Sequence, residues 1–84
     1  MLHLIATPDQ IAQVLAASRR QAGLTQAEAA ARIGVSQSRI SAFETDAAAL
    51  TLAQLLALCG VYGLQLQLLD KSQTLPGPTP LIEW

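Results

Sequence analysis

The stretch TQAEAAARIGVSQSRISAF, from Thr25 to Phe43, holds two helix starts with one glycine between them, and no other feature of the chain limits the fold as strongly. Thr25 precedes Glu28 at capping-box spacing, where each side chain accepts from the other residue's backbone N–H. Ser36 is the second N-cap. Gly34 ends the first segment after barely two turns by supplying a left-handed backbone that residues with a Cβ resist. Two helices this short, joined this tightly, cannot run side by side and must cross steeply. The crossing demands a small residue in the first helix, here Ala30, an apolar residue closing the turn, Val35, and apolar anchors in the second helix, Ile40 and Phe43. Ala29 and Ile33 complete the inner face. The spacing predicts a helix-turn-helix.

The flanks extend the helical pattern. In TPDQIAQVLAASRRQAG, Thr7 caps a helix, Pro8 takes its first position and Asp9 lies near the positive end of its dipole. Ile11, Val14 and Leu15 share one side, and Gly23 is the stop. In LTLAQLLALCGVYG, Thr51 is the cap, and Leu52, Leu55, Leu56 and Cys59 share a face. The apolar content is mostly Ala and Leu, with one Trp, one Tyr and one Phe, so the core must be built from small helix-compatible side chains. These observations predict a mainly α fold of four to five short helices, with LHLIA at residues 2–6 as an extended arm.

After Gly63 the period changes. Leu64, Leu66 and Leu68 alternate with Gln65 and Gln67, the pattern of a half-buried strand. A lone strand leaves an unpaired edge, which the same strand of a second copy can cover about a two-fold axis. The segment could instead extend the fourth helix or pair with the LHLIA arm. Residues 1–70 are thus expected to form the binding and dimerisation domain, and residues 71–84 a flexible Pro/Gly-containing tail ending in Trp84.

At 84 residues the chain supports one modest core and no elaborate catalytic scaffold. Cys59 and His3 are each the only residue of their kind, so neither a disulfide framework nor a metal site is expected. No nucleophile stands with a base, and no cofactor is indicated. The uncharged run from Ala47 to Leu69 is long enough to span a bilayer. Yet it contains Thr51, Gln54, Gln65, Gln67, Gly60 and Gly63 and has no basic flank apart from Lys71, which argues against a span. With no readable signal peptide, a cytoplasmic protein is expected. The net charge of −1 is unevenly spread: between residues 18 and 41, four arginines face the single acid Glu28, a local charge of +3. A basic region on an acidic body suits phosphate contact.

With Ile40 and Phe43 inward, Gln37, Ser38, Ser41, Ala42 and Thr45 fall on the outward face of the second helix. These short, uncharged side chains suit the floor of the DNA major groove: Gln37 can pair with an adenine edge, and the serines can donate or accept. The same residues could equally form an ordinary solvated face in a helix without this spacing. Arg39 points sideways, toward a phosphate or a nearby acid. Arg19 and Arg20 contact phosphate or complement the dipole of the first helix.

The run LTQAEAAARIGVSQSRISAFE resembles the helix-turn-helix of the phage-repressor (Cro/CI, XRE) family over roughly residues 10 to 60. In that family a glutamine opening the first helix of the motif buttresses the one opening the recognition helix and touches phosphate, which the resemblance carries to Gln26 and Gln37. It implies further phosphate contacts from Thr25 and Ser36. After Glu44 the match departs, because TDAAALT lacks the Gly and Pro common in the family loop. Over almost the whole chain, the TP helix start, LQLQLLD, the polar linker and EW at the end resemble HipB-type antitoxins. The resemblance implies a homodimer paired through Leu64, Leu66 and Leu68, a double-stranded operator, a HipA-like Ser/Thr kinase toxin as partner, and toxin binding by Leu81, Ile82 and Trp84. A large rigid ring on a tether gains much from burial in a concave partner. A stand-alone regulator without a toxin, and an interaction module that no longer binds DNA, are the competing readings.

Overall fold

The computed structural model describes residues 2–70, and helices dominate them. Helix α1 runs Pro8–Gln21, α2 Gln26–Ile33, α3 Gln37–Thr45 and α4 Leu52–Tyr62, with a single 3₁₀ turn at Ala47–Ala49 between the last two. Each α-helix begins where its cap was read: Thr7, Thr25, Ser36 and Thr51 all accept the N3 backbone N–H. Gln10 and Gln54 complete capping boxes with Thr7 and Thr51, so three of the four helices start with both orphan groups satisfied. Gly34, at φ 74°, closes α2 in the left-handed region, and the Val35 N–H reaches back to the Ala30 carbonyl at 3.0 Å.

The four helices bury one core, in which Phe43, Leu15, Ile40 and Leu58 are the largest fully enclosed side chains. Ala29 and Ala30, both buried, lie where α2 meets α3 and α4, and their small volume permits the close crossing. Each large apolar side chain enclosed here stabilises the fold by about 1.5–3 kcal/mol.

Two faces differ from the sequence expectation. On α1 the buried positions are Ala12, Leu15 and Ser18, while Ile11 and Val14 are half-buried. On α4 they are Leu58, Cys59 and Tyr62 with Leu55 half-buried, whereas Leu52 is 65% and Leu56 49% exposed. Because α4 is apolar on nearly every side, positions 52, 55, 56, 59 and positions 55, 58, 59, 62 fit the helical period equally well. Packing against α1 and α2 selects the second set.

Beyond Gly63, residues 64–70 form neither helix nor strand, and no strand occurs among the described residues. The segment does not extend α4, since Gly63 ends that helix at φ 74°. Strand assignment needs a ladder partner, and none of the described segments supplies one. Leu64 packs on the core, while Leu66 and Leu68 are 45% and 96% exposed. The arm at residues 2–5 and the segment at 64–69 line one apolar groove beside Leu15 and Cys59. No helix among the described residues is long and apolar enough to cross a membrane.

Candidate nucleic-acid interface

Helix α3 presents Gln37, Ser38, Arg39, Ser41, Ala42 and Thr45 to solvent, while Ile40 and Phe43 anchor it from beneath. The exposed residues do not all keep their polar groups free. The Ser36 hydroxyl accepts the Arg39 N–H at 3.2 Å and lies 3.1 Å from the Ser38 hydroxyl. Thr45 turns its hydroxyl back to donate to the Ser41 carbonyl at 3.0 Å. Thr25 is similarly engaged: its hydroxyl accepts the Glu28 N–H at 3.0 Å, and its own N–H donates to Glu28 at 2.8 Å. The backbone N–H of Thr25, then its side chain, and to a smaller extent the charge of Arg32, hold the Glu28 carboxyl below its ordinary value against the opposing effect of burial.

Arg19 does not join Arg20 at the surface. Its Nε and Nη2 donate to the two carboxylate oxygens of Glu44 at 2.7 and 3.2 Å, and its Nη1 donates to the Leu24 carbonyl at 2.8 Å. The forked pair is nearly enclosed, with side chains 11% and 9% exposed. Hydrogen bonding to Glu44 raises the Arg19 pKa above its already high ordinary value, against the opposing effect of burial. Burial, and then the charge of Glu44, lift the Tyr62 phenol above its ordinary value, with Arg19 opposing.

Gln26 completes the arrangement. Its Nε2 donates to Glu44 Oε1 at 3.1 Å, which fixes one end of the amide on Glu44. Glu44 therefore ties α1, α2 and the last turn of α3 together. The sequence reading missed this role, noting Glu44 only as the end of a matching run. Its one signal was an acid directly after the inward Phe43.

Arg20, Arg32 and Arg39 are exposed. The three-helix tie thus fixes the attitude of the exposed face of α3, whose one charged side chain is Arg39. No group of three or more metal-ligating side chains occurs among the described residues. Leu81, Ile82 and Trp84 lie outside the described residues.

A family model for a helix-turn-helix domain matches residues 10–71. No curated protein matches the chain. Among solved structures, the chain is similar to one in a complex of a HipB variant with an O2 20mer, at 34% identity and a TM-score of 0.76, with 84% of this chain and 99% of that one covered. It is 33% identical to a chain of a HipA–HipB–O2–O3 complex, with a TM-score of 0.75 and coverage of 83% and 99%. A HipB–O4 20mer complex gives 33% identity and a TM-score of 0.74, again with 83% and 99% covered.

Proposed function

Since the chain belongs to the HipB-type branch of the helix-turn-helix family, we propose that it is a dimeric operator-binding repressor and the antitoxin of a HipA-like Ser/Thr kinase. The observation that carries this reading is the outer face of α3, uncharged, short and held in one attitude by Arg19, Glu44 and Gln26. In this reading Gln37, Ser38, Ser41, Ala42 and Thr45 meet base edges in the major groove, while Arg20 and Arg39 meet phosphates. At the starts of α2 and α3, Gln26, Thr25 and Ser36 lie beside the backbone N–H groups of Gln26 and Gln37, which can donate to phosphate oxygens. Two copies about 34 Å apart would read the halves of a palindrome.

The exposed Leu52, Leu56, Leu66 and Leu68 support a second copy, because one chain leaves them uncovered. Pairing of the segment that carries Leu64, Leu66 and Leu68 with its counterpart would give it the ladder it lacks alone. The stretch with Leu81, Ile82 and Trp84 is assigned to the kinase, whose surface would bury the indole. The protein's role is binding rather than catalysis, and its place is the cytoplasm, with the DNA.

The test combines three measurements on the full chain. Selection from random duplexes should enrich a palindrome, and Gln37→Ala should abolish its binding. Leu66→Lys should convert the dimer to a monomer in sedimentation. A HipA-like kinase from the same genome should bind the full chain, and bind more weakly to one lacking residues 81–84. Operator binding without kinase binding would leave a stand-alone regulator; kinase binding without operator binding would leave an interaction module.

A further inference from the structure

Of the four bases, only thymine carries a methyl group into the major groove; guanine is read mainly by Arg or Lys and cytosine by Asp or Glu. The outward face of α3 holds neither kind of charge at its middle. Arg39 lies roughly 130° round the helix from the centre of that face at about 100° per residue. The Thr45 hydroxyl hydrogen is engaged by the Ser41 carbonyl at 3.0 Å, so toward a base Thr45 offers its methyl and an acceptor oxygen but no donor. Ala42, exposed and three residues earlier, has only its Cβ to offer and neighbours Thr45 on the helix surface. Two methyl groups therefore form one exposed apolar spot, bordered by the Ser38 and Ser41 hydroxyls, on the face assigned to bases.

We infer that Ala42, extended by Thr45, is the specificity-determining element that reads the C5 methyl of a thymine in each half-site. The inference rests on the DNA-binding reading above and states what that site selects. Ala42 is five residues beyond Gln37, about 7.5 Å along the helix axis. At about 3.4 Å per base step, the thymine lies about two base pairs from the base read by Gln37.

The experiment takes the selected operator and replaces each thymine in turn by deoxyuridine, which removes only the methyl. At one thymine per half-site the affinity should fall about fourfold, the effect of one buried carbon. Ala42→Gly should lose most of the discrimination between the thymine and uracil sites. Thr45→Ser, which keeps the hydroxyl and loses the methyl, should reduce the discrimination without disturbing the fold. Deoxyuridine tolerated at every position, with Gln37→Ala still abolishing binding, overturns the methyl reading and leaves the operator reading intact. Failure of any sequence to enrich overturns both.

Discussion

Arg19 and Glu44 stand 25 positions apart in the chain and meet at 2.7 Å, Nε to Oε2, beneath the helix that carries the candidate base-reading face. The second oxygen of Glu44 also accepts from Gln26, so one carboxylate orients three helices. Glu44→Ala leaves a nearly enclosed guanidinium without its anion and should destabilise the domain by about 3 kcal/mol. Urea unfolding should show a lower midpoint at unchanged slope. A loss below about 0.5 kcal/mol would mean that the pair behaves as a solvated surface bridge.

Two glycines with equally open surroundings should respond in opposite directions. Gly34 sits at φ 74° with nothing within 4 Å of an added Cβ. Gly34→Ala should thus cost about 1 kcal/mol through backbone strain alone. Gly60 has the same open space inside α4 without the positive φ, so Gly60→Ala should stabilise by about 0.5–1 kcal/mol. Thermal melts of the two variants beside the parent read both signs.

Glu28 provides a pH signature. Its folded-state pKa is held below the ordinary 4.5, so its contribution is present above that ordinary value and is lost as pH falls through the folded value. Wild type should melt above Glu28→Gln at neutral pH, and the two curves should converge in acid below pH 4.5. A gap that stays constant down to pH 2 would remove the charge from the account of this cap.

The neighbouring arginines should separate by assay. Arg20 is exposed, whereas Arg19 is engaged inside the fold. Arg20→Ala should weaken operator binding about equally across sequences and reduce the salt slope by about one, measured by anisotropy across a salt series. Arg19→Ala should instead lower the urea midpoint. Equal salt slopes for wild type and Arg20→Ala would place Arg20 away from phosphate.

Cys59 is 7% exposed, and burial raises its thiol above the ordinary value. Both effects slow the thiolate chemistry. Iodoacetamide at neutral pH should label it slowly in the folded protein and rapidly in urea. Fast labelling of the native state would mean that the groove between the arm and residues 64–69 opens freely.

What could be read without the structure was local. Thr7, Thr25, Ser36 and Thr51 announce helix starts because a cap is a contract between residues three positions apart, and Gly34 announces the turn because only its missing Cβ makes φ 74° inexpensive. Ile40 and Phe43 follow from the same logic, since the turn leaves one way for α3 to lie. The strand expected at Leu64, Leu66 and Leu68 rests on Gly63 and the alternation; a single copy offers it no ladder.

The sequence by itself determined where the helices start, that the middle pair forms a helix-turn-helix, and which residues of α3 face outward. Tertiary structure alone decided the rotation of α4, because a helix with leucine on nearly every side has no preferred face until neighbours pack against it. It also decided that Arg19 turns inward to Glu44 while Arg20 stays in solvent. Adjacent arginines on one helix have the same local chemistry, and only the fold brings an acid from 25 positions away to one of them.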